Sequence, residues 1–353
     1  MEIENKKTKV AINGCGRIGR AFLKLAIKNE NIEIVAVNDL GSLENIAYLL
    51  KYDSAYGKSG LDIKVEENLL VIEGNKIKYL SERDPMNLPW GDLDIDIVIE
   101  STGMFASYEK SQAHIDSGAK RVVITAPVKS TNSNDTDAPD YSKVEGETIL
   151  MGVNEDKLKV CKISSNASCT TNAGSPVLEI LKNTVGIEKA MLNTVHGYTS
   201  TQKIVDGPNE KDFRKGRAGA QNIIPSTTGA AVATTLVMED LKDKFDGISV
   251  RVPVISGSII DITFISKKDT SVEEINEILE KASKDSRWKG IFTTNREPIV
   301  SSDIIGNSHA SIVDLPFTRV VDGNLVKVLV WYDNEMGYTN MLMKHVEKAG
   351  ESL

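Results

Sequence analysis

The sequence predicts an α/β fold that opens with a doubly wound parallel sheet, and three observations carry the prediction. Residues 9–13 (KVAIN) are a short apolar run that ends in GCGRIGR. RAFLKLAIKN follows, with Phe22, Leu23, Leu25, Ala26 and Ile27 at near-helical spacing, and residues 32–38 (IEIVAVN) are a second β-branched run. Strand, glycine-rich turn, helix and strand make a βαβ unit, whose strands run parallel. The length, 353 residues, suits two domains at roughly 150 residues each.

The later elements follow the same reading. Residues 70–72 and 76–80 form a hairpin around Glu73-Gly74-Asn75. Residues 95–99, 121–125 and 149–153 read as buried strands, with a helix over 108–117. Residues 130–147 (STNSNDTDAPDYSKVEGE) hold almost nothing apolar and read as a surface loop. Beyond Cys161, apolar strands at 249–254, 259–265 and 326–332 alternate with helices near 230–241 and 271–282. Residues 341–350 read as a closing helix.

Composition narrows the function classes. Apolar residues make up 41% and charged residues 26%, which excludes wholesale disorder. Fifty acidic against 42 basic side chains give a net charge of −8. That balance argues against nucleic acid as the main partner. MEIENKKTKV lacks the apolar stretch of a secretory signal, and no run of 18 apolar residues exists, so no membrane span is expected. Three cysteines, Cys15, Cys161 and Cys169, are not a disulfide framework, and a reducing cytoplasm is the expected compartment.

Gly14-Cys15-Gly16-Arg17-Ile18-Gly19 fits the pattern G-x-G-x-x-G between a strand and a helix. Glycine there permits a tight turn, close approach of backbone to a pyrophosphate, and close helix–strand packing. The helix N-terminus offers free N–H groups to the phosphates. Asp39 stands at the end of the second strand, where a carboxylate accepts from a ribose 2′-hydroxyl and repels a 2′-phosphate. The alternative is a glycine-rich turn that binds nothing.

Cys169 lies in SSNASCTTN among small hydroxyl residues, ahead of a helical pattern. A thiol at a helix start gains from the dipole and the free N–H groups. Spacing leaves open whether the helix starts at Cys169 or only at Pro176. His196 is one of four histidines. A distant Cys and His can form a nucleophile–base pair, although a lone histidine on a strand is more often structural.

With these residues in view, the chain resembles the phosphorylating glyceraldehyde-3-phosphate dehydrogenases over nearly its whole length. The blocks INGCGRIGR, VAVNDL, SERDP, ESTGMF, SNASCTTN, TVHGYT, QNIIPSTTGAA, VRVP and WYDNEMGY occur in order. The resemblance implies an N-terminal Rossmann-type NAD domain (residues 1–168) and an α+β catalytic domain (169–335) with a mostly antiparallel sheet. The last helix (336–353) is expected to pack back on the first domain, and the helix to begin at Cys169 despite Pro176. It implies Cys169 as nucleophile and His196 as general base, acting on glyceraldehyde 3-phosphate with inorganic phosphate through a thiohemiacetal and a thioester. Ser168, Cys169, Thr170, Thr199, Thr228, Gly229 and Arg251 would surround the two phosphate pockets. Gly14, Gly16, Arg17, Ile18 and Gly19 would hold the pyrophosphate of NAD, Asp39 the ribose and Arg83 the adenine. Thr125, Asn334 and Tyr338 would lie by the nicotinamide. Leu40 after Asp39 resembles the members that prefer NAD. A homotetramer is implied as well.

Several positions depart from the family's pattern. Cys15 replaces an aromatic residue and is expected to be an inert buried thiol. Ala173 stands where many members carry a second cysteine. Lys215 replaces a frequent arginine and loses its fork. The loop after Thr125-Ala126-Pro127 is longer than usual by roughly fifteen residues, a tolerable size for an exposed insertion. His114 and His309 lack companions at metal spacing, so no metal is expected. The basic cluster Arg214-Lys215-Gly216-Arg217 reads as a solvated face or an anion contact rather than a nucleic-acid site, Cys161 as a strand residue, and Met191, Met341 and Met343 as core. Three competing functions remain: the same chemistry on erythrose 4-phosphate, a Cys–His hydrolase without cofactor, and a non-catalytic binding role.

Overall fold

The computed structural model describes residues 6–128, 144–210 and 212–353. Most of the polar segment 130–147 therefore lies outside the described residues. The chain divides into two compact units. The first is Met1–Ile149, Asn154–Ala167 and Leu342–Leu353, and the second is Leu150–Val153 and Ser168–Met341.

The first unit holds a nine-stranded sheet. Thr8–Asn13 lies between Ile32–Asn38 and Ile97–Glu100, and all three run parallel. Arg121–Ile124, Ile163–Ser165 and Glu147–Thr148 extend one side in parallel. Asn75–Leu80 pairs parallel with Ile32–Asn38, and two antiparallel strands, Leu69–Ile72 and Ile63–Glu66, complete the other side. Val10, Ala11 and Ile12 are wholly buried, as a central strand covered on both faces requires. The helix Arg17–Ala26 turns Phe22, Leu23 and Ala26 inward against this sheet. In the hairpin, Ile72 pairs with Asn75, so the turn is Glu73-Gly74 alone. Both take positive φ, 51° and 79°, the two-residue turn whose twist matches a strand pair.

The second unit is built on an eight-stranded sheet. Ile187–Gly197, Ser258–Ser266 and Leu325–Tyr332 run antiparallel to one another in that order. Among the described residues of this sheet, parallel pairing joins only Phe245–Val252 to Ile187–Gly197 and Phe292–Asn295 to Ser311–Asp314. Along Ser258–Ser266, buried residues alternate strictly with half-buried ones, the period-two signature of a sheet covered on one face. On the covered face Ile260, Ile262 and Phe264 share a core with Ala173, Val177, Leu178 and Leu181 of the helix Cys169–Lys182. That packing holds the helix in place although Pro176 sits inside it, without the N–H that an interior position normally donates.

Several expectations are corrected. Residues 149–153 are not a strand. Ile149 and Leu150 are buried, but Val153 N–H donates back to the Leu150 carbonyl and Gly152 has φ +79°, so the chain turns. The helix from Ala230 ends at Val237, because Met238 leaves helical geometry before a short 3-10 turn at Glu239–Leu241. The last helix spans Met336–Gly350 and starts earlier than its apolar spacing suggests. Asp333 sets its start, since its buried carboxylate accepts from Glu335 and Met336 N–H. Cys161 lies between elements rather than in a strand. Met191 is 61% exposed, because Ala190 and Leu192 take the inward positions of their strand, whereas Met341 and Met343 are core.

One buried group ties the fold to pH. His345, in the part of the last helix that belongs to the first unit, is wholly buried. Its Nε2 lies 2.8 Å from Ser164 Oγ and its Nδ1 3.1 Å from Asn166 Oδ1. Burial, with Arg121 nearby, pushes its pKa down to about 3. The unfolded chain then binds the extra proton more readily, so stability falls as pH drops below the unfolded value near 6.5. The contribution is full above that pH and is lost progressively toward pH 3. At about 1.4 kcal/mol per pKa unit, roughly 2 kcal/mol goes between pH 6.5 and 5. Urea midpoints measured across this range should fall less steeply for His345→Gln than for the parent, and equal slopes would contradict the assignment.

Candidate active site

The cofactor-type residues of the first unit gather at the carboxyl ends of its parallel strands, where ligands of doubly wound sheets bind. Gly14 has φ +97°, and a Cβ there would meet Thr102 N at 2.7 Å. A Cβ on Gly19 would come within 2.1 Å of the Gly14 carbonyl oxygen. Both positions thus demand glycine. Gly16 is exposed, and a Cβ there would meet nothing within 4 Å. It caps the helix Arg17–Ala26 with no side-chain acceptor, and no acid lies in the first turn. The open backbone and uncapped N–H groups fit a pyrophosphate. The Asp39 carboxylate accepts from Cys15 N–H at 2.6 Å and Gly41 N–H at 2.8 Å. The acid at the ribose position is therefore also fastened to the glycine turn. Ile18 is half-buried beside the core. The Arg17 guanidinium pairs with Asp53 at 2.8 Å and lies over the Tyr56 ring, which leaves its backbone to the turn. Arg83 is exposed beyond Asn75–Leu80. Thr125 donates its N–H and hydroxyl to the Glu100 carbonyl.

Beneath these loops lies a buried polar cluster that sequence reasoning missed. Glu100, 1% exposed, accepts from Asn13 Nδ2 at 2.6 Å and from the N–H and hydroxyl of Thr102. His114 Nε2 lies 3.1 Å from the same carboxylate. The indole of Trp90, a donor only, reaches His114 Nδ1 at 3.0 Å. His114 is therefore neutral, with its proton on Nε2 toward Glu100. Its carboxylate companion orients it. An acid closing the apolar run IDIVIE was the available signal. Among the described residues no three His, Cys, Asp or Glu side chains are placed to hold a metal.

In the second unit the nucleophile and base meet. The helix begins at Cys169, with Ser168 as N-cap accepting from Thr171 N–H. Ala167 before it has φ +53°, a conformation uncommon for a residue with a Cβ. His196 projects from the covered face of Ile187–Gly197, and its Nε2 lies 3.4 Å from Cys169 Sγ. In the parallel register His196 is the direct neighbour of Arg251. The Arg251 Nη1 lies 2.5 Å from His196 Nδ1 and 3.2 Å from the Gly197 carbonyl. Burial pushes the His196 pKa down to about 3, with Arg251 adding to the fall. Burial also raises the Cys169 thiol, which Arg251 only partly opposes. The Thr170 and Cys169 N–H groups at the helix N-terminus oppose the rise as well.

The other expected residues are placed as follows. The Thr170 hydroxyl is buried and bonded to Tyr332 OH at 2.9 Å. Tyr332, also missed by sequence reasoning, bonds Thr194 and packs edge-on against His196. Thr199 follows the His196 strand and bonds Thr201 and Gln202. Thr228 accepts from Ala230 N–H, and Gly229 caps the helix after it. The strand before them sets Thr227 opposite Ile248 and Ile224 opposite Arg251, so the register separates Thr228 from Arg251. Asn334 Oδ1 accepts from Ser258 Oγ, which in turn accepts from Gly197 N–H. Tyr338 is 4% exposed. Arg217 and Lys215 face Asp206 and Asp212, so the basic cluster carries its own counter-charges. Cys15 is buried and its thiol is pushed up to about 12 by that burial. No helix among the described residues is long and apolar enough to cross a membrane.

Comparison with known proteins agrees with this geometry. The family model for the glyceraldehyde 3-phosphate dehydrogenase NAD binding domain matches residues 8–108, and that for the C-terminal domain matches residues 168–334. The glyceraldehyde-3-phosphate dehydrogenase of Geobacillus stearothermophilus is 45% identical over 95% of this chain and 96% of its own length. That of Borreliella burgdorferi is 45% identical over 96% of this chain and 99% of its own. A Kluyveromyces lactis enzyme, glyceraldehyde-3-phosphate dehydrogenase 1, is 44% identical over 96% of this chain. The nucleotide turn, the Cys169–His196 pair and these matches together place the chain in the glyceraldehyde-3-phosphate dehydrogenase family.

Proposed function

We propose that this chain oxidises glyceraldehyde 3-phosphate, with inorganic phosphate and NAD, to 1,3-bisphosphoglycerate and NADH. The observation that carries the reading is the 3.4 Å contact between Cys169 Sγ and His196 Nε2 at a helix N-terminus. NAD supplies the hydride acceptor. His196 Nε2, 3.4 Å from the sulfur, acts as base from the first step. It takes the thiol proton as sulfur adds to the aldehyde carbon, and returns it to the carbonyl oxygen of the thiohemiacetal. It takes the hydroxyl proton again when hydride departs, leaving a thioester. The Cys169 N–H, at the first helical position, holds the developing oxyanion. Phosphate then cleaves the thioester to the acyl phosphate, and the thiol is regenerated.

Phosphate recognition falls to Arg251, to the hydroxyls of Ser168, Thr199 and Thr228, and to the Gly229 backbone. Thr170 contributes its N–H, since its hydroxyl is engaged with Tyr332. Toward NAD, Gly14, Gly16, Arg17, Ile18 and Gly19 shape the pyrophosphate turn. Asp39 accepts from the ribose and Arg83 borders the adenine. Asn334, with its oxygen fixed by Ser258 and Gly257, presents its amide N–H groups to the carboxamide. Thr125 and Tyr338 border the nicotinamide. The free thiols Cys15, Cys161 and Cys169 suit the reducing cytoplasm.

A homotetramer is part of the same reading. The uncovered face of the second unit's sheet carries Met191, Ile248 and Leu325 exposed, and Ile204 and Phe213 are 89% and 84% exposed. Apolar exposure on this scale favours burial against another copy. Light scattering should give the mass of four chains, and Ile248→Glu should shift it to smaller species. A parent that runs as a monomer at all concentrations would refute the assembly.

Absorbance of NADH tests the activity. Formation should require glyceraldehyde 3-phosphate and phosphate together and should exceed turnover of erythrose 4-phosphate. Cys169→Ser should bind NAD unchanged and lose at least about a thousandfold in kcat. Turnover without NAD would instead support a Cys–His hydrolase.

Asp39 tests cofactor choice. Its carboxylate opposes a 2′-phosphate, so kcat/KM should favour NAD over NADP. Asp39→Ala should weaken NAD binding and narrow that preference. Equal kcat/KM for the two cofactors in the parent would rule the role out.

A further inference from the structure

The acid at the ribose position sits in a corner of backbone that a tyrosine holds shut. Asp39-Leu40-Gly41 links the strand Ile32–Asn38 to the helix Leu43–Lys51. Asp39 N–H donates to the Leu80 carbonyl at 3.1 Å. The Tyr79 hydroxyl donates to the Gly41 carbonyl at 2.7 Å and reaches the Asp39 carbonyl at 3.3 Å. Between those two carbonyls, Gly41 N–H donates to Asp39 Oδ1 at 2.8 Å. Each peptide unit from Asn38–Asp39 to Gly41–Ser42 is thereby held at one end.

The clamp is anchored on rigid structure. Tyr79 lies in Asn75–Leu80, opposite Val37 in the parallel register, and that strand is paired on both sides. Its own N–H donates to the Asn68 carbonyl at 3.0 Å. Its ring packs against the core of the first unit, in the cluster that also holds Cys15. Burial, with the Asp39 carboxylate nearby, pushes the Tyr79 pKa above the usual tyrosine value, so the hydroxyl keeps its proton and donates it. Gly41, in contrast, has the widest backbone freedom of any residue type. Without the hydroxyl its carbonyl is left to water.

We propose that the Tyr79 hydroxyl is a positioning residue that sets the preference for NAD over NADP, by holding the Asp39 carboxylate at the ribose. The inference rests on the ribose role proposed above for Asp39. With the clamp in place, the carboxylate stays between Cys15 N–H and Gly41 N–H, where it accepts from a 2′-hydroxyl and repels a 2′-phosphate. With the hydroxyl removed, the corner turns about Gly41 and Asp39 Oδ1 loses its fixed donor. The carboxylate then swings aside. The 2′-hydroxyl loses a well-placed acceptor, and the 2′-phosphate loses its repulsion.

Titration calorimetry of the full-length protein with NAD and with NADP reads the effect without turnover. Tyr79→Phe keeps the ring in the core and removes only the hydroxyl. It should weaken NAD binding about threefold and narrow the ratio of the NADP and NAD dissociation constants roughly three- to tenfold, as expected for the loss of one hydrogen bond. The same change made in Asp39→Ala should leave the ratio where Asp39→Ala alone puts it, because the hydroxyl acts through the carboxylate. An unchanged ratio in Tyr79→Phe, whether both affinities stay or fall together, overturns the inference. A full effect in the Asp39→Ala background overturns it as well. Asp39→Ala by itself separates the two readings. If it does not move the ratio, the ribose role of Asp39 fails and the clamp with it; if it does and Tyr79→Phe does not, only the clamp fails.

Discussion

A single buried carboxylate organises the nucleotide side of this protein. Glu100 closes one central strand and accepts from Asn13, which closes the next, and from Thr102 in the loop that follows. Asn13 in turn accepts from Asn38 at the end of the third strand, and Asn38 pairs with the backbone of Glu82, next to Arg83. The loops bearing Gly14, Asp39, Arg83 and Thr102 thus spring from one connected set of side chains. A carboxylate at 1% exposure is tolerated only when its lone pairs are filled. The neutral His114, fixed by the Trp90 indole, fills the last of them. Glycine chemistry makes the turn possible, and Glu100 determines where the turn sits.

The second unit reaches its geometry by a different route, through strand register. His196 and Arg251 are 55 residues apart yet adjacent because two parallel strands align them. The helix that presents Cys169 is seated on the same face by Val177, Leu178 and Leu181. A one-residue slip of either strand would turn its own member of the pair, His196 or Arg251, to the open face. The chain Gly197–Ser258–Asn334 carries the same register one strand further.

What was legible in the sequence was mostly what is local in it. The βαβ unit, its glycines and Asp39 fall within 39 residues, and strand and helix periods announce them. The mostly antiparallel second sheet and the start of the helix at Cys169 came from the resemblance, because Pro176 left spacing undecided. Residues 149–153 were misread because apolar burial looks alike in a strand and in a buried turn. Met191 was misread because a methionine's face on a strand depends on its neighbours' parity. The last helix begins early because Asp333, an acid beyond the apolar stripe, caps it from a buried position. Neither the Glu100–His114 contact nor the Arg251–His196 contact leaves a periodic trace. Both are products of pairing between strands or elements distant in the chain.

Ala173 sets the fate of the nucleophile under oxidative stress. It lies one helical turn beyond Cys169, wholly buried, where a second thiol would be close enough to condense with an oxidised one. Cys15 and Cys161 belong to the other unit. Peroxide attack on Cys169 therefore yields a sulfenic acid with no resolving cysteine in its own unit. A small diffusible thiol rescues it through a mixed disulfide such as glutathione forms, and without reduction the sulfur proceeds to the irreversible sulfinic state.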